Sequence, residues 1–190
     1  MKSFKFKSLV TLACLFAIII ITPACSQTKE KANNESNVEA PEMDLHTAVL
    51  SNNIEVVKQH IAAGTDLNTK EPFNGSTPLI SAATFDKTDI AKALIEAGAD
   101  LSIANNDGST PLHSAAFFGR TEIVQMLIDA KADKTLKNNY GATPRETVMA
   151  PFADMKPIYE MMKQQLEPLG FQLDMEELQK SLPVVAMMLQ

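Results

Sequence analysis

The middle of the chain alternates apolar and polar positions with the period of an α-helix. Within residues 122–133, apolar side chains fall at positions i, i+1, i+4 and i+5 and so form one stripe along a predicted helix. The stripe consists of Ile123, Val124, Leu127 and Ile128. Matching segments lie 33 positions earlier, at 89–100, and a further 34 positions earlier, at 55–66. Three amphipathic helices are therefore predicted at a nearly constant interval.

A Thr-Pro dipeptide recurs with the same interval. It occurs at Thr77-Pro78, Thr110-Pro111 and Thr143-Pro144, so the two steps between copies are equal. Threonine can cap the start of a helix, and proline suits the first helical position because no N–H is needed there. Such a period indicates stacked copies of one helix-turn-helix unit rather than a single wound core. Four units are predicted between Asp44 and Pro151, with one extra residue in the loop 69–76.

The 33-residue period and the Thr-Pro-Leu-His string at 110–113 resemble the ankyrin-repeat family. The resemblance covers residues 43–151. It implies an all-α ankyrin-repeat solenoid of about four helix-turn-helix repeats, whose first unit lacks Thr-Pro and acts as a cap. Arg145 replaces the family's leucine in the fourth unit and Pro151 interrupts that unit, which predicts a modified end.

Residues 152–190 do not continue the repeat and are predicted to form a C-terminal helical cap. One helix is predicted over 154–167, and a second begins at the capping-box-like sequence 174–177. A separate methionine-rich stretch is expected to begin at Pro183. We expect these helices to seal the apolar end of the stack. The alternative is that their methionines form a plastic binding surface.

Residues 1–24 have the organisation of a signal peptide. Three lysines near the N-terminus precede the uncharged, largely apolar run 9–21. This run is too short for a helix to span a membrane, but it matches the hydrophobic region of a signal peptide.

The sequence at 22–26 resembles the lipobox of bacterial lipoproteins, because Ala24 precedes Cys25 directly after the hydrophobic run. In that family the cysteine becomes the first mature residue and is acylated. The resemblance makes Cys25 a predicted lipidation site that would hold the protein in the bacterial cell envelope, on the periplasmic side or at the outer membrane. Thr22 and Pro23 depart from the family's pattern. The alternative is ordinary cleavage after Ala24, which would release a soluble secreted protein.

Residues 25–42 are predicted to be a disordered tether, since Val38 is their only aliphatic side chain larger than alanine. A flexible segment of this length reaches roughly 20–25 Å. Loss of residues 1–24 would remove three lysines and no acid, leaving 14 basic and 23 acidic residues and a net charge of −9. This acidic balance argues against a nucleic-acid partner.

No catalytic, metal or cofactor site is predicted. The resemblance to the ankyrin family implies that the His113 imidazole hydrogen-bonds within its turn. His60 is expected to be solvated on an outer helix, and His46 has no acidic cluster of ligand spacing nearby. Ser81 and Ser114 follow the repeat pattern and lack a neighbouring base. An enzyme confined to the segment 152–190 would be too small to have a core of its own.

The hypothesis that remains is a non-catalytic protein-binding module with an unidentified protein partner. In the ankyrin family, partners contact the hairpin tips and the concave face of the first helices, and aromatic residues there are candidate hot spots. Carried onto this sequence, the tips are Phe73, Asn74, Asn106, Asp107, Asn139 and Tyr140. The helix positions are Thr84, Phe85, Phe117 and Phe118. Alternatively, Phe85 and Phe117 pack against adjacent units. A second functional hypothesis is an accessory or inhibitory, immunity-type regulator of an envelope enzyme or toxin.

Overall fold

The computed structural model describes residues 39–190. The predictions on the signal peptide, on Cys25 and on all but the last four residues of the tether lie outside this range. The described residues form helices and turns without a β-strand, and none of their helices is long and apolar enough to cross a membrane. The α-helices are α1 (Leu45–Leu50), α2 (Ile54–Ala62), α3 (Pro78–Thr84), α4 (Thr88–Glu96), α5 (Pro111–Phe117), α6 (Thr121–Asp129), α7 (Phe152–Leu166) and α8 (Met175–Met188). Two short 3₁₀ helices span Glu146–Val148 and Glu167–Leu169.

Three helix pairs stack side by side, as the repeat predicts. α1 pairs with α2, α3 with α4 and α5 with α6, and each pair packs on the next. The first members, which we call the inner helices, form one layer, and the second members, the outer helices, form the other. One apolar core runs through all the pairs. The predicted all-α solenoid is therefore confirmed.

Two of the three Thr-Pro dipeptides begin inner helices, α3 and α5, as predicted, whereas the third, Thr143-Pro144, precedes the 3₁₀ helix Glu146–Val148. Thr77 Oγ1 accepts a hydrogen bond from the Ile80 amide at 3.3 Å, and Pro78 occupies the first helical position. Ala82 and Ala83 follow in the same helix and have no exposed surface. Because their side chains are small, neighbouring inner helices can approach closely.

The outer helices bury the apolar stripe. Ile123, Val124 and Leu127 are fully buried in α6. The turn after each outer helix places one residue in the left-handed region, and in the third pair that residue is Lys131 with φ 67°. A side chain with a Cβ costs about 1 kcal/mol there relative to glycine, which stands at Gly98 in the preceding pair.

The fourth repeat and the C-terminal cap are interleaved. The 3₁₀ helix Glu146–Val148 packs on α5, where a fourth inner helix would lie. α8 packs on α6, where a fourth outer helix would lie, and so covers the apolar end of the stack. α7 is inserted between these two elements in the chain. Residues that the sequence analysis assigned to the cap thus complete the fourth repeat.

α8 is one continuous helix, whereas the sequence analysis expected a separate stretch from Pro183. Asp174 caps its start by accepting hydrogen bonds from two first-turn amides at 2.8 and 3.1 Å. Pro183 lies inside the helix and removes one backbone hydrogen bond. Leu182 and Val185 are buried on either side of the proline. Burial against the stack therefore maintains the helix where propensity alone would end it.

Gly119 allows the close approach of α8. Its φ is 65°, and the equivalent residues of the two preceding units, Asn52 and Asp86, have φ 56°. A Cβ at Gly119 would overlap Ser181 Oγ and lie 2.9 Å from Leu178 Cδ1. Glycine thus occupies this repeat position in the unit on which α8 packs.

His60 is buried, which corrects the expectation that it is solvated. It is 4% exposed, and its Nε2 lies 2.8 Å from Met43 O and its Nδ1 3.0 Å from Thr65 Oγ1. A carbonyl can only accept, so Nε2 carries the hydrogen and Nδ1 accepts from the threonine hydroxyl. The ring therefore ties the residues before α1 to the end of α2.

His113 has the structural role predicted for it. Its Nε2–H donates to Ala142 O at 3.0 Å in the following hairpin. Its Nδ1 accepts from the Thr110 amide at 3.3 Å and from the Thr110 hydroxyl at 2.8 Å. Burial lowers the pKa of His113 below its ordinary value, although the hydrogen bond to Ala142 acts in the opposite direction. The fold therefore favours the neutral ring.

Acidification is expected to destabilise the fold through His113. The unfolded chain takes up a proton near pH 6.5, whereas the buried ring does so only at lower pH, so the unfolded state binds more protons in between. The neutral His113 ring stabilises the fold fully above the unfolded pKa of 6.5, and this stabilisation is lost as the pH falls through the lower pKa of the folded state. At about pH 8, H113Q should lower the free energy of unfolding by about 1–3 kcal/mol through its lost hydrogen bonds. Urea titrations should show a smaller difference from wild type at about pH 5.5; a constant or larger difference would contradict the assignment.

Candidate partner-binding cleft

A cleft of about 650 Å³ lies between α7 on one side and the inner helices with their hairpins on the other. Its volume is within the range of ligand sites, roughly 300–1,000 Å³. Seven of the ten predicted partner-binding residues line it: Asn74, Thr84, Phe85, Asp107, Phe117, Phe118 and Tyr140. The fold thus brings together equivalent positions of successive repeats that are distant in the sequence, and their role in binding stays a prediction.

Hydrogen bonds join the hairpin tips to one another. The Asn106 amide donates to Asn74 O at 2.8 Å, and the Asn139 amide donates to Asp107 O at 2.9 Å. The side chains of the same two asparagines donate to the preceding tip, at 3.4 Å to Phe73 O and 2.9 Å to Asn106 O. Asn106 and Asn139 therefore fix the spacing of the hairpins.

Two aromatic side chains at the tips stand in solvent. Phe73 in the first hairpin is 93% exposed, and Tyr140 in the third is 79% exposed. Tyr140 also lines the cleft. Because the hairpins are tied together, these rings are presented at opposite ends of one rigid row.

The phenylalanines at the ends of the inner helices are covered by the chain's own C-terminal region. The ring centroid of Phe171 lies 5.7 Å from that of Phe85 and 5.1 Å from that of Phe118, both edge-on. Phe85 is 8% and Phe118 5% exposed, so the expectation of exposed aromatics is wrong at these two positions. Part of each ring still lines the cleft. The alternative hypothesis, that Phe85 packs inside the protein, is correct. Part of its packing partner is Phe171, which lies outside the predicted repeats.

Tyr159 is the one fully buried side chain of α7, and partly buried side chains of the same helix, such as Phe152 and Leu166, also pack against the core. The Tyr159 ring lies 4.8 Å from Phe117 and 6.0 Å from Phe152 between centroids. Burial raises the pKa of Tyr159 to about 12, so the ring stays neutral at physiological pH. Most other residues of α7 are partly or fully exposed. The helix therefore lies over the cleft without filling it.

Arg120 links two repeats to the segment between α7 and α8. Its guanidinium donates to Asp86 Oδ2 at 3.2 Å and to Gln172 O at 2.8 Å, and it lies 5.6 Å from the centroid of Phe171. Burial lowers the pKa of Arg120, and the charge of Asp86 partly offsets this. Arg120 and Phe171 together hold the C-terminal segment against the stack.

The cleft shows little of the chemistry expected of a catalytic site. Within residues 39–190, no three His, Cys, Asp or Glu side chains lie close enough to hold a metal ion. Both ring nitrogens of His113 are engaged by Thr110 and Ala142, so the ring is not free to act as a base for Ser114. Among the lining residues Asp107 alone is charged at neutral pH.

Sequence reasoning missed three residues that shape the cleft: Arg120, Tyr159 and Phe171. A weak signal existed for Arg120, because it directly follows Gly119, the repeat equivalent of Asp86. Tyr159 and Phe171 lie outside the periodic region, and no spacing connects them to the phenylalanines that they contact.

Residues 45–138 match the family model described as ankyrin repeats, in three copies. Protein phosphatase 1 regulatory subunit 27 of Mus musculus is 45% identical over 63 residues, which cover 33% of this chain and 40% of that protein. A putative ankyrin repeat protein of fowlpox virus (strain NVSL) is 42% identical over 62 residues, covering 33% of this chain and 14% of the relative. The matches thus span less than half the length of these relatives.

The fold also matches a crystal structure of the ankyrin repeat domain of Bcl-3, a member of the IkappaB protein family. The TM-score is 0.53 at 31% sequence identity, and the match covers 54% of this chain and 45% of that chain. The stacked helix pairs, the tied hairpins and these matches agree. Residues 45–138 are ankyrin repeats, and the described residues 39–190 have the fold of an ankyrin solenoid.

Proposed function

We propose that the protein is a non-catalytic protein-protein interaction module that binds its partner through the hairpin tips and the cleft. The observation that carries this proposal is the convergence of seven family-derived contact positions on one cleft, with Phe73 exposed on the same row of tips. Exposed aromatic side chains are typical hot spots, because they give a large contact area. Ankyrin solenoids offer extended concave surfaces of this kind.

A second candidate function is an accessory or inhibitory, immunity-type regulator that covers the active site of an envelope enzyme or toxin. The curated relatives favour it, because the mouse and human matches, 45% and 43% identical, are named as regulatory subunits of a protein phosphatase. Each match spans 40% of the relative, so we extend only the regulatory role to this protein and not the class of enzyme that is regulated.

We further propose that the module is exported and held by acyl chains on Cys25 in a bacterial envelope, on the periplasmic side or at the outer membrane. The support is the order of basic, apolar and small residues before Cys25. The segment 26–42 would then place the repeats roughly 20–25 Å from the membrane surface. Ordinary cleavage and secretion of a soluble protein is the competing outcome.

Replacing both exposed aromatics at the tips should weaken partner capture. F73S/Y140S removes two rings that are 93% and 79% exposed, so the free energy of unfolding should change by less than about 1 kcal/mol. A hot-spot residue contributes at least about 2 kcal/mol to the free energy of binding, so its loss should weaken binding roughly 30-fold. Co-purification from envelope extracts, quantified by mass spectrometry, measures this loss. M187S is the matched control, because Met187 is 62% exposed on α8 and does not line the cleft.

The same co-purification separates the two candidate functions. A general interaction module should retain several proteins, whereas a regulator should retain one enzyme whose activity falls in the complex. Equal capture by wild type, M187S and F73S/Y140S would remove the hairpin row from the binding surface.

Acylation of Cys25 is expected to be visible in the mass of the mature N-terminus. Intact-mass and peptide analysis should show acyl chains on Cys25 as the first residue, and the protein should partition with membranes. C25S should lose the modification and leave the membrane fraction. A mature chain that begins at an unmodified Cys25 would instead support the soluble secreted form.

A further inference from the structure

Two serine hydroxyl groups open onto the cleft without a protein hydrogen-bond partner in the described part of the chain. Ser81 and Ser114 occupy equivalent positions of consecutive repeats, each is 8% exposed, and both line the cleft. Within residues 39–190 neither Oγ makes a hydrogen bond, and neither is sealed away from the cleft. Because both oxygens open onto the cleft, water or an occupant of the cleft can hydrogen-bond to them. The pair therefore forms two hydrogen-bonding points, one repeat apart, on the floor of the cleft.

The hairpins add a second polar pair with the same spacing. Asn105 and Asn138 both line the cleft, and each uses its Oδ1 to accept from two amides of its own hairpin, at 2.9 to 3.1 Å. Their NH₂ groups can still donate. The polar groups of the floor thus repeat along the stack, which favours an occupant whose own polar groups recur along its length.

The roof of the cleft is apolar. Four side chains of α7 line it at positions i, i+3, i+7 and i+11: Met155, Ile158, Met162 and Leu166. None is fully buried, and Ile158 is 40% exposed. Eleven positions of an α-helix span about 16 Å. Met155, Met162 and Leu166 also pack against the apolar core, so α7 forms an apolar wall of the cleft in which Ile158 is the most exposed side chain.

Length and charge define the occupant that fits between these surfaces. An extended chain rises about 3.3 Å per residue, so about five residues cover the roof of about 16 Å. Alternate side chains of such a segment would face the apolar roof, and polar side chains at the intervening positions would face the hydroxyls and amides of the floor. Asp107 is the single charged lining residue and disfavours acidic segments.

We propose that the cleft binds a short extended segment of the partner protein, apolar toward α7, free of acidic residues and hydrogen-bonded to Ser81 and Ser114. This inference rests on the proposed function and deepens it, because α7 becomes a second wall of the binding site. Tyr159 holds that wall in place through Phe117, at one edge of the cleft. Its methionines can repack around different side chains.

Random heptapeptides displayed on phage and selected on the purified protein provide the probe. Enriched sequences should share about five residues that alternate apolar and polar side chains and contain no Asp or Glu, matching the length of the roof, and synthetic copies should bind with a measurable Kd by fluorescence anisotropy. I158E/M162E should raise that Kd at least tenfold, because it places charges on the apolar roof. S81A/S114A should raise it roughly 2- to 10-fold per lost hydrogen bond. M161E is the matched control, since Met161 is 50% exposed on α7 but does not line the cleft, and it should stay within twofold of wild type.

Several results would overturn the proposal. Peptides whose Kd is unchanged in I158E/M162E and S81A/S114A but rises in F73S would place recognition at the tips, leaving the proposed function intact. A further test uses the dye 1-anilinonaphthalene-8-sulfonate. If one dye molecule binds per chain through the roof residues and the selected peptides do not displace it, the cleft binds small amphiphiles and not a peptide segment. Absence of any enriched peptide would also reject the proposal, while co-purification with F73S/Y140S tests the protein-binding function separately. Thermal unfolding of each variant identifies a loss of binding that is due only to misfolding.

Discussion

A helix pair in this stack can bury its apolar face only against another pair, so the last pair needs a cover. The chain supplies it by sending α8 back to the place of a fourth outer helix, where Leu178, Leu182 and Val185 are buried. Gly119 permits that approach because no Cβ intervenes. α7 lies between the third hairpin and α8 in the chain, and it faces the inner helices across the cleft.

The cleft is a consequence of this arrangement. Phe171 fixes the return of the chain between Phe85 and Phe118, and Arg120 holds the same segment from the side. Between that point and Tyr159, Met162 and Leu166 of α7 pack against the apolar core, yet a cleft of about 650 Å³ stays open between α7 and the inner helices. A solenoid that would otherwise present an open concave face thus has a two-sided groove. Its polar floor comes from the repeats and its apolar roof from the inserted helix.

The periodic part of the architecture could be predicted from sequence because every repeat carries its own local signals. The Thr-Pro starts, the apolar stripes and the turn positions each recur, and the structure places them as expected. What could not be predicted depends on contacts between distant, non-repeated segments. Pro183 lies inside α8 because burial of its neighbours against the stack outweighs the tendency of proline to end a helix. His60 is buried and hydrogen-bonds to the Met43 carbonyl, and no sequence motif connects these two residues. The aromatic contacts of Tyr159 and Phe171 have the same origin.

The central claim is that the C-terminal segment is an energetic part of the repeat stack, joined to it through Phe171. A double-mutant cycle on Phe118 and Phe171, with leucine at each position and urea unfolding as the measurement, tests this most directly. Edge-on ring contact at 5.1 Å predicts a coupling free energy of about 0.5–1.5 kcal/mol. The same cycle with Phe73, which stands in solvent, should be additive. A coupling of zero between Phe118 and Phe171 would contradict the account.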